Sequence, residues 1–270
     1  MDVERGSVDV CGAALAYEVA GSGHAIVLIH AGLADRRMFD DLVPALAPFA
    51  RVVRYDMHGF GESGSPAGAY SHHDALRGLL AGLGIGRASV LGVSLGANVA
   101  LDFELTHPAL VDRLVLVATG LDGYPPGAET AALAAPVAEA FRAGDFVRAI
   151  DLSIRLWVDG PRRVPDEVDP AVRELVRALY TDVLRRSREG GRPADRLAPP
   201  AIERLAEVKA PTLVVVGVGD LPDIVAEADL LASTIPGARL ATIPVVGHML
   251  VMERPVELAR LALEFSAPLR

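Results

Sequence analysis

Short apolar runs alternate along this chain with stretches whose apolar positions recur every three to four residues. Ala25 to Ile29 reads AIVLI, Val90 to Val93 carries no charge, Val111 to Ala118 has RLVLVA at its heart, and Thr212 to Val216 reads TLVVV. Apolar runs of this length predict strands covered on both faces. Arg51 to Tyr55 and Arg239 to Ile243 are expected to add two more strands. Ahead of them, Ser7 to Val19 alternates loosely and predicts two short strands joined by a turn at Gly12, with a further turn at Gly21-Ser22-Gly23. Helical stripes fill the intervals. Phe39, Leu42, Val43 and Leu46 share a face within Met38 to Phe49, and Leu76, Leu79, Leu80 and Leu83 do so after Ser71, which has Asp74 in a capping-box position. Further helices are expected after Leu95, over Ile224 to Ile235, and over Pro255 to Phe265 with Leu258, Leu261, Ala262 and Phe265 on one face. Strands alternating with helices predict an α/β protein built on a parallel sheet.

The alternation stops between Thr119 and Leu205, where no strand pattern occurs. Helical stripes take over: Phe146, Ile150, Ile154 and Trp157, then Val172, Leu175, Val176 and Leu179. Breaker-rich links separate them at Tyr124-Pro125-Pro126-Gly127, Gly160-Pro161 and Gly190-Gly191-Arg192-Pro193. This predicts an all-helical insertion between two strands, lying over the carboxyl edge of the sheet, where it would exclude water and form a substrate pocket. Trp157 is expected to pack within that insertion.

At 51% hydrophobic, 270 residues suffice for one large α/β domain or one with an insertion. A net charge of −9 argues against nucleic-acid and anionic membrane partners, which require basic patches. The single cysteine, Cys11, excludes an internal disulfide and fits a reducing, cytoplasmic setting; its strand-like surroundings suggest a packing residue. The first residues carry two acids and no apolar run, unlike a secretory signal, and no stretch reaches membrane-spanning length. No His/Cys/Asp/Glu cluster has metal-ligand spacing, and neither G-x-G-x-x-G nor a P-loop is present, so neither metal nor cofactor is expected.

Candidate chemistry centres on Gly92-Val93-Ser94-Leu95-Gly96, a G-x-S-x-G sequence between a strand and a helix. A serine at such a turn sits in a tight backbone with its hydroxyl pushed above the sheet, and small residues two before and two after let the turn close. The Leu95 N–H faces the same space at a helix amino end and can stabilise an oxyanion. The loop His30-Ala31-Gly32-Leu33 follows another buried strand; a second donor from it, with Gly32 favoured, would complete the hole. Serine holds its proton at neutral pH and needs a base such as histidine, which in turn needs a carboxylate on its other nitrogen. Asp220 and His248 each follow a predicted strand, and the chain order Ser94, Asp220, His248 suits a strand–turn–helix nucleophile.

Other polar residues receive quieter roles. Asp223 competes with Asp220 but stands at a helix start, where capping is the simpler task. His30 reads as a hydrogen-bonded buttress, Asp56 as an acceptor for loop N–H groups, and His24, His72, His73 and His107 as solvated turn or helix-end residues.

Five segments together carry a resemblance: IVLIHAGLADRRMF (26–39), YDMHGFGES (55–63), LGVSLGAN (91–98), VVVGVGD (214–220) and VVGHMLVMERP (245–255). Over nearly its whole length the chain resembles the α/β-hydrolase superfamily. The resemblance implies a mostly parallel eight-stranded sheet flanked by helices, with a core at 1–119 and 206–270 and a helical cap at 120–205. It implies Ser94 as nucleophile, His248 as base, Asp220 as its partner, and Gly32 and Leu95 as oxyanion donors. Serine at 94 differs from the aspartate sought in the haloalkane dehalogenase and epoxide hydrolase branches. The first loop reads His-Ala-Gly where His-Gly is usual, leaving Ala31, Gly32 and Leu33 as candidate donors. His58 replaces the usual arginine, which alters loop packing or adds a titrating group near the pocket. Leu33, Leu121, Trp157 and Met249 are the candidate substrate contacts.

The expected activity is hydrolysis of a carboxylic ester or lactone of a small molecule through an acyl-enzyme, in the manner of enol-lactonases and esterases, by a monomer or homodimer. Carbon–carbon bond hydrolysis, acyl transfer, a lyase or cyclase step, and a non-catalytic ligand receptor are the alternatives that the same residues permit.

Overall fold

A computed structural model describes residues 2–188, 190 and 192–266. Its eight strands are β1 (Val3–Val10), β2 (Ala13–Ala20), β3 (Ala25–Ile29), β4 (Arg51–Tyr55), β5 (Ala88–Val93), β6 (Val111–Val117), β7 (Thr212–Gly217) and β8 (Arg239–Ile243). They form one sheet in the order β1-β2-β4-β3-β5-β6-β7-β8. Only the β1–β2 and β2–β4 pairs are antiparallel; from β4 to β8 every pair is parallel. Every residue of β3, β5 and β7 is buried, as their uncharged composition requires for strands covered on both faces. β5 lies between β3 and β6, so the turn at its carboxyl end emerges at mid-sheet.

The core helices are α1 (Leu42–Leu46), α2 (His72–Gly82) and α3 (Leu95–Thr106), with α7 (Pro222–Thr234), α8 (Leu250–Glu253) and α9 (Pro255–Ser266) closing the chain. Between β6 and β7 lie α4 (Ala128–Arg142), α5 (Phe146–Ile154), a π-helical turn at Arg155–Asp159 and α6 (Pro170–Arg188), with no strand among the described residues. Gly191, part of the expected link after α6, lies outside the described residues.

Three expectations need correction, and one helix was not expected. Cys11 is not a packing residue: it is exposed in the β1–β2 turn with φ 56°. The single helix expected over Met38 to Phe49 is split into a 3-10 turn, Arg36–Phe39, and α1. Asp35 fixes the start of that turn by accepting the Arg37 N–H, and the four stripe residues are still buried. Leu83 lies beyond α2 as its C-cap, while Leu76, Leu79 and Leu80 are buried. Helix α4 had no recognisable stripe because its apolar content is mostly alanine spread around the axis, and only Ala140 is buried. Ser71 does cap α2, its hydroxyl accepting the Asp74 N–H at 3.1 Å.

Candidate active site

Ser94 stands between β5 and α3 with φ 54° and ψ −115°, a conformation that β-carbon-bearing residues adopt at a cost. Its N–H donates to Val117 O at 2.9 Å, and its own carbonyl accepts from Ala97 and Asn98, so the strained residue is held from both sides. The flanking glycines are sterically required. A Cβ on Gly92 would overlap the Gly96 carbonyl, and one on Gly96 would overlap the Ile29 carbonyl at the end of β3.

The loop after β3 reaches the same place. A Cβ on Gly32 would stand 3.4 Å from a Leu95 methyl carbon, which puts the loop backbone against the amino end of α3. Ala31 drops out as an oxyanion donor, because its N–H is directed at Met38 Sδ at 3.2 Å. Among the described residues the N–H groups of Gly32, Leu33 and Leu95 have no hydrogen-bond acceptor. His30 is the buttress expected: wholly buried, its Nδ1 donates to Ala31 O at 2.9 Å and its Nε2 accepts the Met57 N–H at 3.0 Å. Burial lowers its pKa, consistent with a neutral imidazole in that pair of bonds.

Asp220 and His248 come together. His248 Nδ1 donates to Asp220 Oδ2 at 2.9 Å, with both residues 2% exposed, while Asp220 Oδ1 accepts the Leu221 N–H at 2.7 Å. A carboxylate on Nδ1 leaves Nε2 as the free ring nitrogen. The loop after β7 can approach the loop after β8 because Gly217 and Gly219 have no side chains: a Cβ on Gly217 would overlap the Val246 carbonyl, and the Gly219 N–H donates to that same oxygen at 2.8 Å. Among the described residues the Ser94 hydroxyl forms no hydrogen bond to His248.

Asp223 does not cap its own helix. Its carboxylate accepts the Gly127 N–H at 2.8 Å, at the start of α4. Asp56 accepts the Arg36 and Glu62 N–H groups at 2.8 and 2.7 Å, as expected, and also binds the Arg36 guanidinium.

A model of the alpha/beta hydrolase family matches residues 26–261. The chain belongs to that family. It is 29% identical over 280 residues to the 2-hydroxy-6-oxo-6-(2'-aminophenyl)hexa-2,4-dienoic acid hydrolase of Metapseudomonas resinovorans, an alignment covering 97% of this chain and 90% of the relative. Uncharacterized proteins of Mycobacterium bovis and Mycobacterium tuberculosis share 42% identity over 109 residues; the chain spans about a third of their length, 32%. Among solved structures, a hydrolase of Pseudomonas aeruginosa superposes with a TM-score of 0.79 at 28% identity, covering 98% of both chains. The enol-lactonase of Burkholderia xenovorans does so with 0.77 at 25% identity, covering 96% of this chain and 99% of its own.

The candidate substrate contacts fare differently. Trp157 does not pack merely within the insertion. The π-helical turn carries its half-buried ring onto His248, with ring centroids 4.7 Å apart. Leu121 is buried beside Gly120, where a Cβ would lie 4.0 Å from Ser94 Oγ. Leu33 is half-buried against the core, and Met249 is fully buried within it. His58 is a loop-packing residue: buried, it pairs through Nδ1 with Gly64 O at 3.1 Å and sets its ring edge-on to Tyr70, and burial lowers its pKa. His72 is not solvated; burial lowers its pKa to about 4, and its Nδ1 has no partner among the described residues.

Several polar residues of the chain went unread in the sequence. Arg163 binds Glu253 with both nitrogens of its fork and also donates to the carbonyls of Val158, Asp159 and Val245. Asp159, wholly buried, pairs with Arg173 at 2.8 Å. Glu227 accepts the Leu121 N–H at 2.7 Å, and burial raises its pKa to about 7. A signal for Glu227 existed: it interrupts the buried face of Ile224, Ala228 and Leu231. Arg163 and Asp159 lie in a segment without periodicity and gave none. Among the described residues no group of three His, Cys, Asp or Glu is placed to hold a metal ion, and no helix is long and apolar enough to cross a membrane.

Proposed function

We propose that the chain is a serine hydrolase that cleaves a carboxylic ester or lactone of a small molecule. Ser94 Oγ attacks the carbonyl carbon while His248 Nε2 takes its proton. The N–H groups of Leu95 and Gly32 stabilise the oxyanion, with Leu33 the other candidate donor in that loop. As the tetrahedral intermediate collapses, His248 returns the proton to the leaving alcohol, and an acyl-Ser94 ester remains. Water then attacks that ester, giving its proton to His248, and Ser94 is released with its own. Asp220 holds the imidazole in the required tautomer and stabilises the imidazolium.

The observation that carries this reading is the buried His248–Asp220 hydrogen bond, formed by the loops after β8 and β7 at the sheet edge where Ser94 follows β5. The ring of Trp157 on His248 supports a further assignment, that residues 120–205 form a lid over the site. Its function would be to exclude water and strengthen the electrostatic contacts beneath.

A second reading keeps these residues and changes the bond. The Metapseudomonas resinovorans relative, aligned over nearly the whole chain, is a hydrolase of a 2-hydroxy-6-oxo dienoic acid. Such a molecule has no ester, so hydrolysis between its oxo carbon and the diene breaks a carbon–carbon bond.

The test is a panel of p-nitrophenyl esters of rising chain length, a set of lactones and one 2-hydroxy-6-oxo dienoic acid, each with the unmodified protein and with Ser94→Ala. Turnover of esters or lactones that disappears in the variant supports the first reading. Turnover of the dienoic acid alone supports the second. Unchanged ester hydrolysis by Ser94→Ala overturns the assignment of the nucleophile.

A further inference from the structure

A cavity of about 380 Å³ runs along the flank of α3 and reaches Gly120, where a Cβ would lie 4.0 Å from Ser94 Oγ. Leu95, the candidate oxyanion donor, lines it, and Asn98 and Asp102 continue the same helical face one and two turns on. His72 at the start of α2 and Gly120 and Asp122, where the chain leaves β6, line it as well. So does Arg196, which is bonded to Asp122. The volume lies within the range of small-molecule sites.

The lining holds hydrogen-bonding groups that the protein leaves unused. Asp102 is 7% exposed, and neither of its carboxyl oxygens has a hydrogen bond among the described residues; Oδ1 is wholly buried. Nδ1 of His72 is likewise buried and unpartnered. Asn98 uses its carbonyl oxygen to accept the Asp122 N–H at 3.0 Å, which leaves its NH₂ for another acceptor. A buried carboxyl without a protein partner is costly, and Asp102 Oδ2 and the Asn98 NH₂ on one face of α3 point to an occupant that bonds to them.

Charge narrows the class of that occupant. Burial raises the Asp102 pKa to about 7, with Asp122 adding to the rise and Arg204 opposing it. Burial also holds the His72 pKa down, with His30, His58 and His73 adding to the fall. An anionic ligand group would meet Asp122 and Asp195, and an ammonium gains no counter-charge from Asp102 while its carboxyl is protonated. An uncharged carboxamide meets neither penalty. A protonated carboxyl donates its O–H from Oδ2 to an amide carbonyl, and the Asn98 NH₂ supplies a second donor.

We propose that this cavity is a subsite for an uncharged carboxamide on the substrate, with Asp102 as the group that recognises it. The assignment rests on the proposed cleavage at Ser94, since the cavity reaches Gly120, where a Cβ would lie 4.0 Å from Ser94 Oγ. It defines the substrate class as acylamino-substituted esters or lactones.

Binding tests this without turnover. On Ser94→Ala protein, calorimetry compares methyl N-acetylglycinate, N-acetyl-β-alaninate and N-acetyl-4-aminobutyrate with methyl pentanoate, hexanoate and heptanoate. At one chain length or more the amide binds about tenfold tighter than its alkyl partner, the effect of one or two well-formed hydrogen bonds. Adding Asp102→Leu brings that ratio to about one. Adding Asp102→Asn instead keeps an amide preference that no longer changes between pH 5.5 and 8.5, whereas with Asp102 present the preference declines as pH rises through 7. Equal binding at every length means that the cavity holds water only, and overturns the proposal, as does an amide preference that survives Asp102→Leu. Failure of the unmodified protein to hydrolyse any ester or lactone strikes the proposed reaction and leaves these binding ratios as an independent reading of the cavity.

Discussion

Arg163 and Glu253 are ninety positions apart and form a buried two-pronged salt bridge, at 2.6 and 3.0 Å, with both side chains 6% exposed. Arg163 belongs to the helical excursion between β6 and β7, and Glu253 ends α8, just beyond His248. The same guanidinium donates to the carbonyl of Val245, which sits at φ 64°, a backbone conformation unfavourable for a β-branched residue. The pair thus fastens the excursion to the loop that carries the histidine.

Breaking this pair strands a buried charge. Arg163→Ala is expected to lower stability by about 3–5 kcal/mol, and Arg163→Met together with Glu253→Leu by clearly less. Urea unfolding of the three proteins checks this. A single variant as stable as the parent would show that the fastening is unimportant.

Ser94 stores strain that glycine would relieve. Ser94→Gly is expected to raise stability by about 1 kcal/mol while reducing ester or lactone turnover by about 10⁴-fold or more. Thermal melts and kinetics on one preparation read both effects. A variant less stable than the parent would argue that the hydroxyl makes a stabilising contact.

Asp220→Asn should preserve the shape of the site and remove the charge that fixes the His248 tautomer. The expected loss in kcat is about 10³ to 10⁴-fold with little change in KM. A loss below tenfold would exclude Asp220 as the partner of the base.

Asp102 gives stability a pH dependence. Its carboxyl is pushed up to about 7 in the folded chain by burial, above its ordinary value of 3.8. Between those two values the folded state holds a proton that the unfolded state has lost, so this contribution is complete below pH 3.8 and is lost as pH rises through 7. Asp102→Asn is therefore expected to be about 2–4 kcal/mol more stable than the parent at pH 8 and close to it at pH 4. Denaturant midpoints at the two pH values decide; an equal difference at both would remove titration of Asp102 as the cause.

Much of the site was legible because it depends on local chain geometry. Gly92 and Gly96 flank Ser94 for clearance that the sequence alone demands, and Asp220 and His248 follow strands whose apolar runs are unmistakable. The choice between oxyanion donors was not legible, since it turned on Met38 Sδ meeting the Ala31 N–H across a loop. Helix α4 escaped because alanine gives no stripe, and Asp102 because a carboxylate within a helix looks the same in a sequence whether its neighbours satisfy it or leave it bare.

The sequence by itself determined the eight strands and the helices between them in the sheet-forming parts, the strained serine turn, and which acid and histidine meet at the sheet edge, because period, small residues and chain order are local or sequential properties. Tertiary structure alone decided that Trp157 rests on His248, that Arg163 ties the excursion down, and that Asp102 and His72 border one cavity. Those facts depend on distances between segments remote along the chain, and such distances are set by packing, which no single stretch of residues encodes.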